Sequence, residues 1–175
     1  MRNYIVFTIL FSLIVLAFPQ KTYSDSAQIN LKVDYVDLEK ARRIRVLENF
    51  LNKYNSPLAA YTSVFVDEAY SNNLDWRLVA SIAGVESTFG KTIPANSYNG
   101  WGWNNGKYSF ESWEDAISTI SESLNVKYAQ KWGAKDPYQI GKYYAASPTW
   151  ASRVTYFMEK IEKSSPETEK LTFNL

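Results

Sequence analysis

One carboxylate in this chain occupies a helical position that asks for a methyl group. Residues 75–90 open on Asp75, whose side chain can cap the free N–H groups of a first helical turn. They close on Gly90, which tolerates the left-handed turn that ends many helices. Between them Val79, Ile82 and Ala83 recur at helical spacing, and Glu86 is the next member of that stripe, seven residues after Val79. Burial would disfavour its charge, and so would the negative end of the helix dipole. A Glu that keeps its proton near neutral pH can serve as a general acid. The competing expectation is a solvated Glu at a fraying helix end.

The rest of the inventory narrows the chemistry. The chain has no Cys and no His. Neither a disulfide framework nor a Ser-His-Asp or Cys-His hydrolase can be built from it. The usual ligands of a catalytic zinc are also missing, so no metal and no cofactor are expected. Catalysis would have to rest on carboxylates, hydroxyls and amides, which fits glycan chemistry. The 19 Lys and Arg nearly balance 18 Asp and Glu, and the charges are dispersed, so nothing points to nucleic acid. Tyr and Trp are abundant; they suit sugar rings as well as cores, and most are expected in the core.

The elements that must position Glu86 can be read in order. Residues 1–24 read as a secretory signal peptide, with Arg2 ahead of an apolar run over residues 4–18; an uncleaved membrane anchor is the lesser option. Residues 25–37 alternate apolar and polar and predict a short strand or an extended arm. Asp37 can then cap a helix to about Tyr54, with Ile44, Leu47, Leu51 and Tyr54 inward. Ser56 and Pro57 start a second helix to about Ser71, with Leu58, Tyr61, Phe65 and Ala69 inward. The Glu86 helix is the third.

After Gly90 the helical period stops. Trp101-Gly102-Trp103 facing residues 108–110 across Asn104-Asn105-Gly106 reads as a short β-hairpin. Two Trp residues on a loop are costly unless they line a site. Helices resume with a capping-box-like Ser112-Trp113-Glu114-Asp115, then at Asp136-Pro137 through Tyr143 or Tyr144, then at Ser147-Pro148 with Trp150, Val154, Phe157 and Ile161 inward. Residues 164–175 read as a polar tail. The count is about six helices with a small irregular β-like lobe after the third. That predicts a mainly α domain whose cleft lies where the lobe meets the helices, with Glu86 at its floor.

Four stretches resemble the lysozyme-like superfamily. LDWRLVASIAGVESTFG (residues 74–90) resembles its helix bearing a catalytic Glu-Ser pair, and YNGWGW (98–103) is similar to the Asn/Gly-rich segment that follows. FESWEDAI (110–117) looks like the start of the next helix. YYAASPTWA (143–151) resembles the close of the bacterial endo-β-N-acetylglucosaminidases, glycoside hydrolase family 73 and its relatives. Together they span most of residues 57–163, which would form an α+β lysozyme-like catalytic domain after an N-terminal arm and helix over 25–56.

The resemblance implies an exported, monomeric, cell-envelope or secreted glycosidase that cuts the β-1,4 bonds of peptidoglycan. Glu86 would be the general acid and Ser87 would help hold its carboxyl. Asn99, Trp101 and Trp103 would line sugar subsites, and Tyr143 or Tyr144 would face the cleft. Many family members carry a second acidic residue in the lobe, but residues 91–110 contain no Asp or Glu, and Glu111 is the first. Water activated by Glu111, a hydroxyl or an amide remains open. So does attack by the sugar's own 6-hydroxyl, as in lytic transglycosylases. A glycan-binding module without activity, or a structural or adhesion domain with a merely buried Glu, is the non-enzymatic alternative.

Overall fold

The computed structural model describes residues 24–165, with side chains from Tyr35 onward. The signal segment and the end of the polar tail lie outside the described residues. The chain divides after Tyr35. Of the first part only the helical backbone from Ser24 is described, and everything below belongs to the second part.

Six α-helices account for most of the described residues, and no strand occurs among them. They are α1 (Ser24–Lys53), α2 (Thr62–Ser71), α3 (Leu78–Ser87), α4 (Trp113–Ser123), α5 (Pro137–Tyr144) and α6 (Trp150–Lys163). A 3-10 turn, Pro57–Tyr61, leads into α2, and a π-helical segment, Leu124–Lys131, continues α4. None of the described helices is long and apolar enough to cross a membrane.

The predicted mainly α architecture is present, with two corrections. The strand or extended arm expected over residues 25–37 is helix: α1 begins thirteen residues before the expected cap Asp37. No Gly or Pro interrupts residues 24–53, so nothing in the backbone chemistry stops the helix there. The expected β-hairpin is also absent. Its place is taken by a turn-rich loop over residues 91–112. Asn99 supplies the reason. Its Oδ1 accepts the Trp103 N–H (2.8 Å), and its Nδ2 donates to the carbonyls of Trp103 and Tyr108 (2.9 Å each). A buried side chain thus takes the backbone groups that two strands would have paired with each other. Asn104, Asn105 and Gly106 are all left-handed, so the turn read at that point does form.

Local punctuation works as its chemistry dictates. Ser56 Oγ accepts the Leu58 N–H (3.0 Å) and donates to the Phe89 carbonyl (2.8 Å), so one hydroxyl caps a helix and pins the far end of α3. Ser112 Oγ accepts from Asp115 N–H, and the Asp115 carboxylate accepts from Glu111 N–H, a capping box displaced by one residue. Asp136 caps α5 through Gln139 N–H (2.9 Å), with Pro137 in its first turn.

The core gathers around α3. That helix packs against α6, while α2 packs on α4 and α5 on α6. Leu78 to Gly84 are buried without exception, together with Ser87. Phe89 closes the lower end inside an aromatic cluster with Phe50, Tyr54 and Phe157, at centroid distances of 4.6–5.5 Å. A Cβ on Gly84 would stand 2.5 Å from the Phe89 ring, so this helix position has to be glycine for the ring to seat.

Candidate functional site

Glu86 is not where the stripe argument put it. A helix buried all round has no polar stripe to mark, and α3 is buried on every side except at Val85 and Glu86. Glu86 is exposed. The burial on which its acid role was first argued is therefore absent from the unliganded protein.

The carboxylate is nonetheless held. Trp150, a buried residue in the first turn of α6, donates its indole N–H to Oε1 at 2.7 Å. Oε2 faces the opposite way, toward Gly102; a Cβ there would come within 3.3 Å of it. Gly102 also has φ +64°, so its conformation and its missing side chain are both needed to let the loop approach the carboxylate. Among the described residues, no Lys or Arg pairs with Glu86.

Gly102 is part of the wall of a cleft of about 430 Å³. One side is the loop, through Trp101, Trp103, Asn104, Asn105 and Tyr108. The other is helical, through Lys127 and Tyr128 of the π-helical segment and Tyr144 of α5. Aromatic residues stand on both walls and two carboxamides, Asn104 and Asn105, on the loop side, a combination that suits sugar rings and their hydroxyl and acetamido groups.

A chain of contacts joins the two walls to the carboxylate. The Tyr144 hydroxyl donates to the Trp101 carbonyl (2.7 Å), and the Tyr144 ring stacks on Trp150 at 4.9 Å and 26°. Burial first, and then the negative charge of Glu86, hold the Tyr144 hydroxyl well above the ordinary tyrosine range, so it stays a donor. Burial also raises Tyr128. Trp101 is buried and donates its indole N–H to the Val79 carbonyl (2.9 Å), which fastens the loop to the first turn of α3.

The expected site residues divide into two sets. Glu86 stands beside the cleft, with Oε2 next to Gly102 in its wall, and Trp101, Trp103 and Tyr144 line it. Ser87, Asn99 and Tyr143 do not. Ser87 is buried; its hydroxyl donates to the Gly100 carbonyl (2.8 Å) and accepts from Gly90 N–H (2.9 Å), so it joins helix to loop and does not touch the Glu86 carboxyl. Asn99 organises the loop from inside. Tyr143 is exposed outside the cleft and stacks on Trp132 at 4.6 Å. Glu111 is exposed and is not among the lining residues.

No family model matches the chain, and neither a curated protein nor a solved structure does. The site must be argued from its own geometry. Sequence reasoning missed Trp150 as a site residue by placing it only on an inward stripe. It missed Lys127 and Tyr128 because a π-helix does not repeat at 3.6 residues, so helical spacing could not orient them. The turn signal at Asn104-Asn105-Gly106 could have drawn attention to Gly102, two residues before it.

Proposed function

We propose that this chain is an exported enzyme of lysozyme-like fold that cleaves β-1,4 bonds in peptidoglycan, with Glu86 as its general acid. The observation that carries the proposal is the Trp150–Glu86 bond: it fixes a carboxylate without a cationic partner at the edge of an aromatic, amide-lined cleft. A structural carboxylate is ordinarily neutralised by Arg or Lys; this one is oriented by a neutral donor and leaves an oxygen free. A sugar chain laid in the cleft would cover that oxygen, and covering a carboxylate favours its protonated form. The desolvation missing from the free protein would then arrive with the substrate.

In most glycosidases both hydrolytic routes use two carboxylates flanking the bond. No carboxylate is among the described residues lining the cleft, and Glu86 is the one that stands beside it. This favours the route of the lytic transglycosylases. Glu86 gives its proton to the glycosidic oxygen as the C1–O bond breaks. The 6-hydroxyl of the same sugar attacks C1 and returns its proton to the Glu86 carboxylate. The products are a free 4-hydroxyl and a 1,6-anhydro sugar, with Glu86 reprotonated. The exposure of Glu86 favours a second reading, a glycan-binding module of the same fold that performs no chemistry.

Mass spectrometry of the soluble fraction after incubation with purified peptidoglycan tests these together. Fragments ending in 1,6-anhydro sugars are expected. Reducing-end fragments would replace the intramolecular route with hydrolysis. A protein that sediments with the wall and releases nothing would leave only the binding module.

A further inference from the structure

Lys127 is the only charged residue among the described residues lining the cleft. Among the described residues it forms no ion pair. Its ammonium stands 5.2 Å from the centre of the Trp132 ring and 5.9 Å from that of Tyr128. Those rings hold the charge in place without neutralising it, and the π-helical backbone beneath them sets its position on the wall. Glu86 stands next to Gly102 of the loop wall. Among the described residues the cleft lining therefore offers one cation without an ion pair, and the carboxylate of Glu86 stands beside Gly102, outside that lining. A neutral glycan would leave that cation unanswered.

We propose that Lys127 selects glycan strands bearing a carboxylate over neutral ones. The inference rests on the reading of the cleft as a glycan site and names the substrate class within it. The carboxylate can belong to the lactyl ether of an N-acetylmuramic acid stripped of its peptide, or to a peptide still attached. Both present the same anion to the ammonium.

Three probes separate these sources: a neutral N-acetylglucosamine tetramer, a peptide-free muramyl tetrasaccharide, and the same tetrasaccharide with its peptides. Each is titrated calorimetrically into the full chain carrying Glu86→Gln, which prevents turnover, with Lys127 intact and with Lys127→Met. With Lys127, at least one carboxylate probe should bind about fivefold more tightly than the neutral one, as expected for a partly exposed charge pair. The difference should shrink in 1 M salt, where screening shortens to about 3 Å. Lys127→Met should bring the charged and neutral probes to equal affinity, the charged ones losing about fivefold more than the neutral tetramer. The muramyl probe that keeps the preference identifies the source.

Equal affinity for charged and neutral probes with Lys127 in place would overturn the proposal, and so would an equal loss for all probes in Lys127→Met. If none of the probes binds while the circular dichroism is native, the glycan reading itself fails and this inference fails with it.

Discussion

Asp75, just ahead of α3, and Glu86, in its last turn, meet opposite surroundings. Asp75 accepts the Arg77 backbone N–H at 3.0 Å and the Arg77 side chain at 2.8 Å, and Arg77 reaches on to Glu162 of α6 at 3.1 Å. Burial alone would raise the Asp75 carboxyl, but the side-chain and backbone bonds from Arg77 outweigh it and hold the group below the ordinary range. The same contact raises Arg77. Glu86 has, among the described residues, no cationic partner and one indole donor. The first carboxylate is spent on holding α3 against α6. The second is positioned but not neutralised, which is the condition of a group kept for a ligand.

The comparison can be broken or sharpened by four substitutions. The largest expected effect is Gly102→Val. A β-branched residue at φ +64° is strained, and its Cβ would press on Glu86 Oε2. Displacing the carboxylate should cut glycan cleavage about a hundredfold, read as anhydro fragments released per minute. Next is Gly84→Ala, which drives a methyl group into the Phe89 ring at 2.5 Å. It should cost about 2 kcal/mol in urea unfolding, through α3 rather than through the cleft.

Trp150→Phe keeps the ring that stacks on Tyr144 and removes only the N–H on Glu86. It should lower kcat about tenfold and leave KM nearly unchanged, since an oriented acid acts in the transition state. An equal loss in a double variant with Glu86→Gln, compared with Glu86→Gln alone, would show that Trp150 acts otherwise.

The smallest effect is Asp75→Asn. A carboxylate held below its unfolded value contributes stability above that value, near pH 4, and loses it as the pH falls through the lower, folded one. The wild type should therefore weaken on acidification below about pH 4. Asp75→Asn should start about 1 kcal/mol less stable at neutral pH and lack that part of the acid dependence.

What could be read in the sequence followed the range of the forces involved. Ser56-Pro57, Ser112 with Asp115, and Asp136-Pro137 act within four residues, and each starts a helical element where its chemistry says. The inward positions Leu47, Leu51, Phe65, Val79, Ile82 and Val154 are buried as their spacing implies. Glu86 failed on a longer-range fact. Its exposure follows from α3 being covered on nearly all sides by other elements, which no stripe within the helix reports. The hairpin failed because Asn99 reaches across four and nine residues to take the strand partners for itself. Ser87 was chosen for its adjacency to Glu86, yet neighbours along a helix point about 100° apart, and its hydroxyl went inward. The cleft wall at Lys127 and Tyr128 came from a helical period the pattern did not contain.

The central claim is that the carboxylate of residue 86, alone of the two beside α3, performs chemistry. The direct test compares fragment release from purified peptidoglycan by the wild type, Glu86→Gln and Asp75→Asn, with each melting temperature recorded alongside. The account predicts that Glu86→Gln loses at least about a hundredfold in rate with its melting temperature unchanged, while Asp75→Asn melts earlier and still cleaves. Release by Glu86→Gln within about tenfold of the wild type would contradict it, because a positioned general acid contributes more than that.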